Sequence, residues 1–292
     1  MKKIQFSKYV LSLLAIFYTS FSHGETPPST LEKIASQKVI NIGYRNAPPY
    51  SYKTSDGHVV GYVIELCKDV TESLKKNLHL SNLVVNYVPV PLTARITMLN
   101  NNTVDMDCSI NTDTIKRQSV VSFSRHYQSV YTRIGTRSNV DILSIADLAG
   151  KTVSVTTSMD LTNLNLFNRA QNLNLLVLPQ PTLENAFDAM GSGKSYATAM
   201  NEVSLRALIE SRVNPGNYKV SDITLGDSQT LGIMLRHDDV EFKKMIDSAL
   251  LKRFKRDDFK QFYEQWFNGK LPDKNINLHM PLTPEMYQKI IL

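Results

Sequence analysis

Two blocks of alternating strand and helix patterns dominate the sequence. In the first block, from Val39 to Cys108, short apolar runs rich in β-branched residues alternate with segments whose apolar residues recur every three or four positions. A second block of the same kind begins near Asp147 and ends near Glu210. Because strand–helix–strand units favour parallel sheets covered by helices, the pattern predicts two similar α/β lobes rather than one large sheet.

Two further strand patterns are expected to cross between these lobes, at residues 130–136 and 230–235. Two crossings would build the first lobe from both ends of the chain. The predicted first lobe therefore contains residues 25–132 and 229–292, and the predicted second lobe contains residues 133–228.

Residues 1–24 have the three-part pattern of a secretory signal peptide. A head with three lysines precedes an apolar run from Val10 to Tyr18, and small residues follow up to Gly24. The apolar run is too short to span a bilayer, and no later stretch is long enough either. We predict cleavage near residues 22–24 and export of a soluble protein. No cysteine lies near this point, which argues against a lipid anchor.

The basic excess of the chain is partly explained by this segment. The formal net charge of the 292 residues is +6, and residues 1–24 contribute three lysines and no acid, so a mature chain would carry +3. The basic run Lys252–Arg256 is followed by Asp257 and Asp258, which favours a solvated helix face. We expect no nucleic-acid partner.

Motifs for metal, nucleotide or nucleophilic chemistry are missing from the sequence. The six histidines have no metal-ligand spacing, and no G-x-S-x-G motif occurs. The segment Gly191–Ser195 is similar to the end of a phosphate-binding loop, but Asp188 stands where that loop requires a glycine. We expect no metal, cofactor or catalytic residue.

The two cysteines lie on predicted apolar faces, Cys67 on a helix and Cys108 at a strand end. Export would permit a disulfide. Buried free thiols are common on such faces, and we favour two unpaired thiols.

A candidate anion site follows the strand that ends at Cys108. The segment Asp105–Gln118 leads from this strand to a helix start, where free N–H groups and the helix dipole favour an anion. Arg117 can hold a carboxylate through two parallel hydrogen bonds. A surface ion pair for this arginine is the alternative that these residues leave open.

Four segments carry a resemblance to a known family: VINIGYRNAPPYSY, GHVVGYVIELCKDV, NTVDMDCSINTDTIKRQSVVSFS and IADLAGKTVSVTTSMD. The chain resembles family 3 extracellular solute-binding proteins, the periplasmic receptors of polar amino-acid ABC transporters, and among them the glutamate/aspartate-binding members. The resemblance runs from about Leu31 to the tail. It implies a two-lobed type II periplasmic-binding-protein fold in which two crossing strands form the hinge and one ligand is enclosed in the cleft. It also implies a periplasmic location, an inner-membrane ABC permease as partner, and a monomer.

The same resemblance implies a set of cleft residues. Arg117 matches the arginine that binds the α-carboxylate of the ligand, and Thr112 matches a neighbouring hydroxyl. Arg45 and Arg95 match arginines that acidic-amino-acid receptors place around the side-chain carboxylate. Tyr50 matches an aromatic residue near the cleft.

Two departures from the family pattern concern the ligand's ammonium group. Asn201 stands where the family has the aspartate that receives this group, although Glu202 is adjacent. The family's Gly-Thr-Thr stretch reads Ser158-Met159-Asp160 here, so Ser158 and Asp160 become candidate site residues and Asp160 a candidate substitute carboxylate.

Three further departures make the cleft less polar: Ile110 and Leu92 replace serines, and Leu183 replaces a histidine. The predicted ligand is therefore an anionic amino acid or related carboxylate, with a specificity that differs from that of glutamate/aspartate receptors.

Three other functions stay open from the sequence. The scaffold also has an exported enzyme branch of the cyclohexadienyl or arogenate dehydratase type, in which Asp160 or Glu202 would act as general acid. A receptor that signals its bound state to a membrane protein is the second. A degenerate receptor that no longer binds an amino acid is the third.

Overall fold

Two five-stranded sheets, each flanked by helices, form two lobes in a computed structural model that describes residues 28–156 and 159–292. The predicted α/β class with two lobes is therefore confirmed. The predicted signal peptide and Ser158 lie outside the described residues. In the described ranges, no helix combines the length and the hydropathy that a membrane crossing requires.

The strands are short, with two to seven residues each. In chain order they are β1 (Val39–Tyr44), β2 (Tyr52–Lys53), β3 (Val59–Val60), β4 (Val84–Pro89), β5 (Met106–Asp107), β6 (Val121–Phe123), β7 (Gln128–Val130), β8 (Thr132–Arg137), β9 (Thr152–Thr156), β10 (Leu176–Gln180), β11 (Ala197–Asn201), β12 (Tyr218–Thr224), β13 (Gln229–Leu231) and β14 (Met234–Arg236).

Helices cover both lobes. They are α1 (Thr30–Gln37), α2 (Tyr62–Asn77), α3 (Arg95–Asn100), α4 (Ile115–Gln118), α5 (Met159–Ala170), α6 (Leu183–Gly191), α7 (Glu202–Glu210), α8 (Val240–Phe254), α9 (Phe259–Phe267) and α10 (Pro284–Ile291), with 3-10 turns at Ile145–Leu148 and Pro215–Asn217.

The first sheet has the order β4-β1-β5-β14-β6. Strand β1 pairs in parallel with β4 and β5, whereas β14 pairs antiparallel with β5 and β6. Ile40 and Ile42 alternate with more exposed positions in β1 and are fully buried under α2 and α8. Strand β14 lies late in the chain, yet it belongs to the same sheet as β1, which lies near its start.

Helix α2 begins at a position that only glycine can occupy. Gly61 has a φ of 140°, and a Cβ there would lie 2.3 Å from the main-chain oxygen of Tyr50. The loop that carries Tyr50 therefore lies directly against the helix start.

The second sheet has the order β10-β9-β11-β8-β12. Strands β9, β10 and β11 are parallel, and β8 pairs antiparallel with β11 and β12. The core between this sheet and its helices contains Ile134, Val153 and Leu164 on one face and Phe187 and Leu205 on the other.

The connections between the lobes differ in detail from the prediction. The chain passes from β7 to β8 at Tyr131, and it returns between Thr224 and Gln229, earlier than the predicted residues 230–235. Strands β7 and β13 pair antiparallel beside these passages. The second strand pattern is in fact split, because Gly232 and Ile233 separate β13 from β14. The predicted domain boundaries stay a prediction.

The prediction of two unpaired thiols is wrong, because Cys67 and Cys108 form a disulfide with an S–S distance of 1.97 Å. Both residues are fully buried, as their apolar surroundings predicted. The inner face of α2 lies on the first sheet just where β5 ends, and this packing leaves the two Cα atoms 6.4 Å apart. The two apolar faces are therefore in contact with each other.

Candidate functional site

A cavity of about 800 Å³ lies between the two lobes. Its wall has more basic than acidic residues. The basic residues are Arg45, Lys53, Arg95, Arg117 and Lys274, and the acidic residues are Asp160 and Glu184. Such an excess of positive charge favours an anionic occupant.

The three arginines among these basic residues come from different elements of the first lobe. Arg45 directly follows β1, Arg95 is the first residue of α3, and Arg117 lies in the short helix α4. Because β1 and β5 are parallel, the segments that follow them leave the same edge of the sheet. The wall at this edge includes Ile110 and Thr112, which follow β5.

All three guanidinium groups donate to one short loop after β5. Arg45 donates from Nη2 to the carbonyl oxygen of Ile110 at 2.6 Å. Arg95 donates from Nη1 to Oδ1 of Asn111 at 2.9 Å. Arg117 donates from Nη1 to the carbonyl oxygen of Thr112 at 2.7 Å. The loop of residues 110–112 therefore sets the positions of three positive charges.

These three cations have no carboxylate partner at ion-pair distance in the described part of the chain. The pKa of Arg95 is lowered to about 9, mainly by burial and further by the positive charges of Arg117 and Arg45. Burial also lowers the pKa of Arg45 and of Arg117. Desolvation and mutual repulsion thus disfavour the charged forms of these arginines, and the attraction of an anion in the cavity would offset both.

Asn201 lies at the end of β11 in the second-lobe wall and is the N-cap of α7. Its Oδ1 accepts hydrogen bonds from the N–H groups of Val203 at 2.9 Å and Ser204 at 3.3 Å. Asparagine is among the preferred N-cap residues because its oxygen satisfies these N–H groups. The side-chain oxygen is therefore engaged in the helix, and the amide N–H₂ group is what remains for the cavity.

Glu202 is adjacent in sequence but is not part of the cavity wall. Its carboxylate accepts from Arg133 Nε at 2.7 Å and from Arg206 Nη2 at 2.9 Å. A carboxylate held in two ion pairs is a poor candidate for a site acid. Among the described residues, no group of three or more His, Cys, Asp or Glu side chains is arranged to hold a metal ion.

Asp160 belongs to the wall and lies in the first turn of α5. Its Oδ1 accepts a hydrogen bond from Thr132 Oγ1 at 2.8 Å. Thr132 accepts in turn from Nε2 of Gln229 at 2.8 Å, and Oε1 of Gln229 accepts from Thr112 at 3.4 Å. A polar chain thus runs from the first lobe through the hinge strand β13 to the second lobe.

Some of the other predicted site residues line the cavity, and others do not. Leu92 and Leu183 line the cavity together with Ile110, as expected for a less polar wall. Tyr50 does not line it: the side chain is fully buried, and its ring centroid lies 5.9 Å from that of Phe267. The prediction of Tyr50 as a cleft residue is therefore corrected. Ser158 is outside the described residues.

Sequence reasoning missed several polar residues of the site. Thr132 and Gln229 begin strands beside the two passages between the lobes, and Asn111 is the partner of Arg95. Lys53, Lys274 and Glu184 are also in the wall. A polar residue in a predicted crossing strand was the one signal in the sequence, and it applied to Thr132 alone, because the predicted second crossing began at residue 230.

Comparison with known proteins shows which family the chain belongs to. The family model of bacterial extracellular solute-binding proteins, family 3, matches residues 40–269. The chain belongs to this family. It is 31% identical over 263 residues to a glutamate/aspartate import solute-binding protein of Escherichia coli (strain K12), covering 88% of this chain and 86% of that protein. It is also 31% identical to an L-glutamate/L-aspartate-binding protein of Pseudomonas aeruginosa, covering 89% and 87%.

A solved structure supports the fold of this family 3 protein. The cysteine-binding protein from Campylobacter jejuni superimposes with a TM-score of 0.71 at 23% identity, covering 84% of this chain and 96% of that chain. The predicted family and type II fold are therefore confirmed. The chain is a solute-binding protein of the kind that serves amino-acid ABC import, and the named relatives are binding proteins rather than enzymes.

Proposed function

We propose that this solute-binding protein binds an anionic amino acid or a related carboxylate in the cavity between its lobes and delivers it to an inner-membrane ABC permease. The observation that carries the proposal is the set of three guanidinium groups that donate to one loop and, among the residues that the structure describes, form no ion pair with a carboxylate. Neutral ligands would add no negative charge beside these desolvated cations, whereas an anion would.

The two ends of the ligand have separate partners in this proposal. Arg117 holds the α-carboxylate, and Thr112 supplies the neighbouring hydroxyl, as the family resemblance implies. Arg45 and Arg95 hold a second acidic group, as the resemblance to acidic-amino-acid receptors implies. A planar guanidinium can donate two parallel hydrogen bonds to a carboxylate, which gives both affinity and orientation.

We further propose that specificity differs from that of the glutamate and aspartate receptors. Asn201 offers no negative charge to an ammonium group. Ile110, Leu92 and Leu183 present apolar surface to the cavity where the family pattern has polar side chains. Both changes weaken a pocket built for a small, fully polar ligand.

The delivery cycle in this proposal is that of a hinged receptor. Ligand binding closes the lobes about the passages beside β7 and β13, and the closed form docks on the permease. The protein acts as a periplasmic monomer after removal of a signal peptide near residues 22–24. A dehydratase-like activity is not favoured, because the named relatives are binding proteins and because Glu202, one of its two candidate acids, is held by Arg133 and Arg206 outside the cavity wall.

A thermal-shift screen of refolded, ligand-stripped protein tests the proposal. The panel contains amino acids, dicarboxylates and keto acids, and a ligand at 100 times its Kd should stabilise the fold by about 2.7 kcal/mol. We expect the largest shifts from molecules with two acidic groups. The strongest response to a neutral or cationic amino acid would contradict the proposal. Submicromolar glutamate binding in calorimetry would contradict the altered specificity.

A further inference from the structure

Asn201 presents hydrogen-bond donors to the cavity. Its Oδ1 accepts from the N–H groups of Val203 at 2.9 Å and Ser204 at 3.3 Å, so its N–H₂ group is what the side chain offers to a ligand. An amide N–H₂ group only donates, and a ligand ammonium group only donates as well. The ligand group that fits this part of the wall is therefore an oxygen acceptor, such as a carbonyl oxygen.

The surroundings of Asn201 strengthen this preference. Asn201 is the N-cap of α7, and the positive end of a helix dipole lies at its N-terminus. The carboxylate of the next residue, Glu202, accepts from Arg133 at 2.7 Å and from Arg206 at 2.9 Å and is not part of the cavity wall. Its negative charge is thus balanced by two arginines and not by a group in the cavity.

The charge of the whole wall favours a ligand without an ammonium group. Five basic and two acidic side chains line the cavity, which is an excess of three positive charges. A free amino acid with two carboxylates has a net charge of minus one, because its ammonium group cancels one of them. Acylation of the amino group removes this positive charge and leaves minus two, which complements the wall more closely.

The second lobe also presents apolar surface near Asn201. Leu183, the first residue of α6, lines the cavity and packs against the apolar cluster that contains Met200. Met200 directly precedes Asn201 in β11. The cavity volume of about 800 Å³ is in the range of sites that enclose drug-sized ligands. A short acyl chain can therefore be accommodated together with two acidic groups.

We propose that the ligand is an N-acylated acidic amino acid, whose acyl carbonyl oxygen accepts from the Asn201 amide and whose acyl chain lies against Leu183. Asp160 accepts the amide N–H of this ligand, because a carboxylate can accept several hydrogen bonds besides the one from Thr132. This inference rests on the proposed function. It narrows the ligand to a class other than the free amino acids named for the relatives.

Four ligands with the same pair of acidic groups test the inference. Isothermal titration, extended to millimolar ligand, gives Kd values for N-acetylglutamate, glutamate, glutarate and 2-oxoglutarate. We expect N-acetylglutamate to bind about tenfold more tightly than glutamate or glutarate, which is the effect of one hydrogen bond from Asn201. It should also bind more tightly than 2-oxoglutarate, which has a carbonyl oxygen but no acyl chain.

The acyl chain is tested by its length. N-propionylglutamate should bind about fourfold more tightly than N-acetylglutamate, because one more methylene group is buried. Leu183→Ser should abolish this gain. Leu166→Ser makes the same substitution at an exposed position of α5 outside the cavity wall and should keep it.

Variants of Asn201 test the carbonyl contact. Asn201→Asp keeps the N-cap but replaces the donor by a negative charge, so N-acetylglutamate should bind at least tenfold more weakly while glutamate binds more tightly. Asn201→Ser also keeps a capping oxygen but removes the N–H₂ group. It should weaken N-acetylglutamate about tenfold and leave the Kd of glutarate within about threefold of wild type.

The results separate the inference from the proposed function. Glutamate binding to the wild type as tightly as N-acetylglutamate, or a parallel change of both ligands in Asn201→Asp, would overturn the inference and leave a receptor for acidic amino acids. Tighter binding of 2-oxoglutarate would overturn it in favour of a keto diacid. Absence of binding by every compound would reject the proposed function itself. Thermal melts of the ligand-free variants show whether each one is folded.

Discussion

Arg45 donates to the main-chain oxygen of Ile110 at 2.6 Å, so the residue that replaces a serine of the family pattern still anchors a site arginine. The contact does not depend on the Ile110 side chain. The same loop is fixed on its other side, where Thr112 forms a bridge with Leu231 and the N–H group of Asp113 donates to Thr230. The cavity can therefore change its polarity without losing its cation arrangement.

Arg117→Ala should remove most of the affinity for an anionic ligand. Loss of a buried, hydrogen-bonded charge partner costs about 2–5 kcal/mol, which corresponds to a loss of affinity between about 30-fold and several thousand-fold. Calorimetry with the best ligand of the screen measures it. Arg169→Ala, at an exposed position near the end of α5, is the matched control and should bind normally. Unchanged affinity in Arg117→Ala would remove Arg117 from the site.

Anion binding should weaken as the pH rises through about 9. The pKa of Arg95 in the ligand-free fold is lowered to about 9, below its ordinary value, by burial and by Arg117 and Arg45. Its charge is complete below this pH and is lost above it. The unfolded chain keeps the proton up to its higher, ordinary pKa, so Arg95 makes folding more favourable as the pH rises above about 9, while the same proton loss weakens binding.

Titrations with a diacid between pH 7 and 10.5 check this prediction. The wild-type Kd should rise above pH 8.5, whereas Arg95→Met should bind more weakly and show a flatter profile. Parallel profiles in the two proteins would assign the pH dependence to another group.

The sequence predicted the parts of this protein that local patterns or family motifs encode. Strand and helix alternation gave two α/β lobes, and the family motif placed Arg117 and Thr112 where the cavity wall contains them. Tyr50 follows two prolines in a predicted loop, and the family resemblance implies a place near the cleft. Its burial depends on Phe267 in α9, more than 200 positions later, which no local pattern reports.

The polar chain of the hinge was unpredictable for the same reason. Gln229 and Thr132 have no motif around them, and their roles arise from contacts between segments 97 positions apart in the sequence. Cys67 and Cys108 were each expected to be buried. The contact between their two apolar faces arises from tertiary packing, which local sequence patterns do not report.

Removal of the disulfide should destabilise the fold far more than it weakens binding. Cys67 and Cys108 are separated by 41 positions, and closing a loop of this size stabilises a fold by about 4 kcal/mol through the entropy of the unfolded chain. Urea unfolding of Cys67→Ala/Cys108→Ala should show this loss, with the Kd of the best ligand within about threefold of wild type because the disulfide lies outside the cavity wall. Reductant should destabilise the wild type and leave the double variant unaffected; equal stability of the two oxidised proteins would contradict the prediction.

Asn201→Asp should increase affinity for ligands that carry an ammonium group. Aspartate caps a helix as well as asparagine does, so α7 keeps its N-cap and the fold keeps its stability. The new carboxylate adds a negative charge to a wall that is predominantly basic, and an ammonium group gains a charge partner there.

Glutamate and glutarate separate this effect from a general change of the cavity. The affinity for glutamate should rise about tenfold in Asn201→Asp, while glutarate should bind more weakly because only the repulsion acts on it. Asn201→Ala is the control for the cap: it should lose about 1 kcal/mol of unfolding free energy and leave the glutamate-to-glutarate ratio near the wild-type value. A uniform decrease for both ligands in Asn201→Asp would show that the new carboxylate repels the acidic groups of the ligand without reaching its ammonium group.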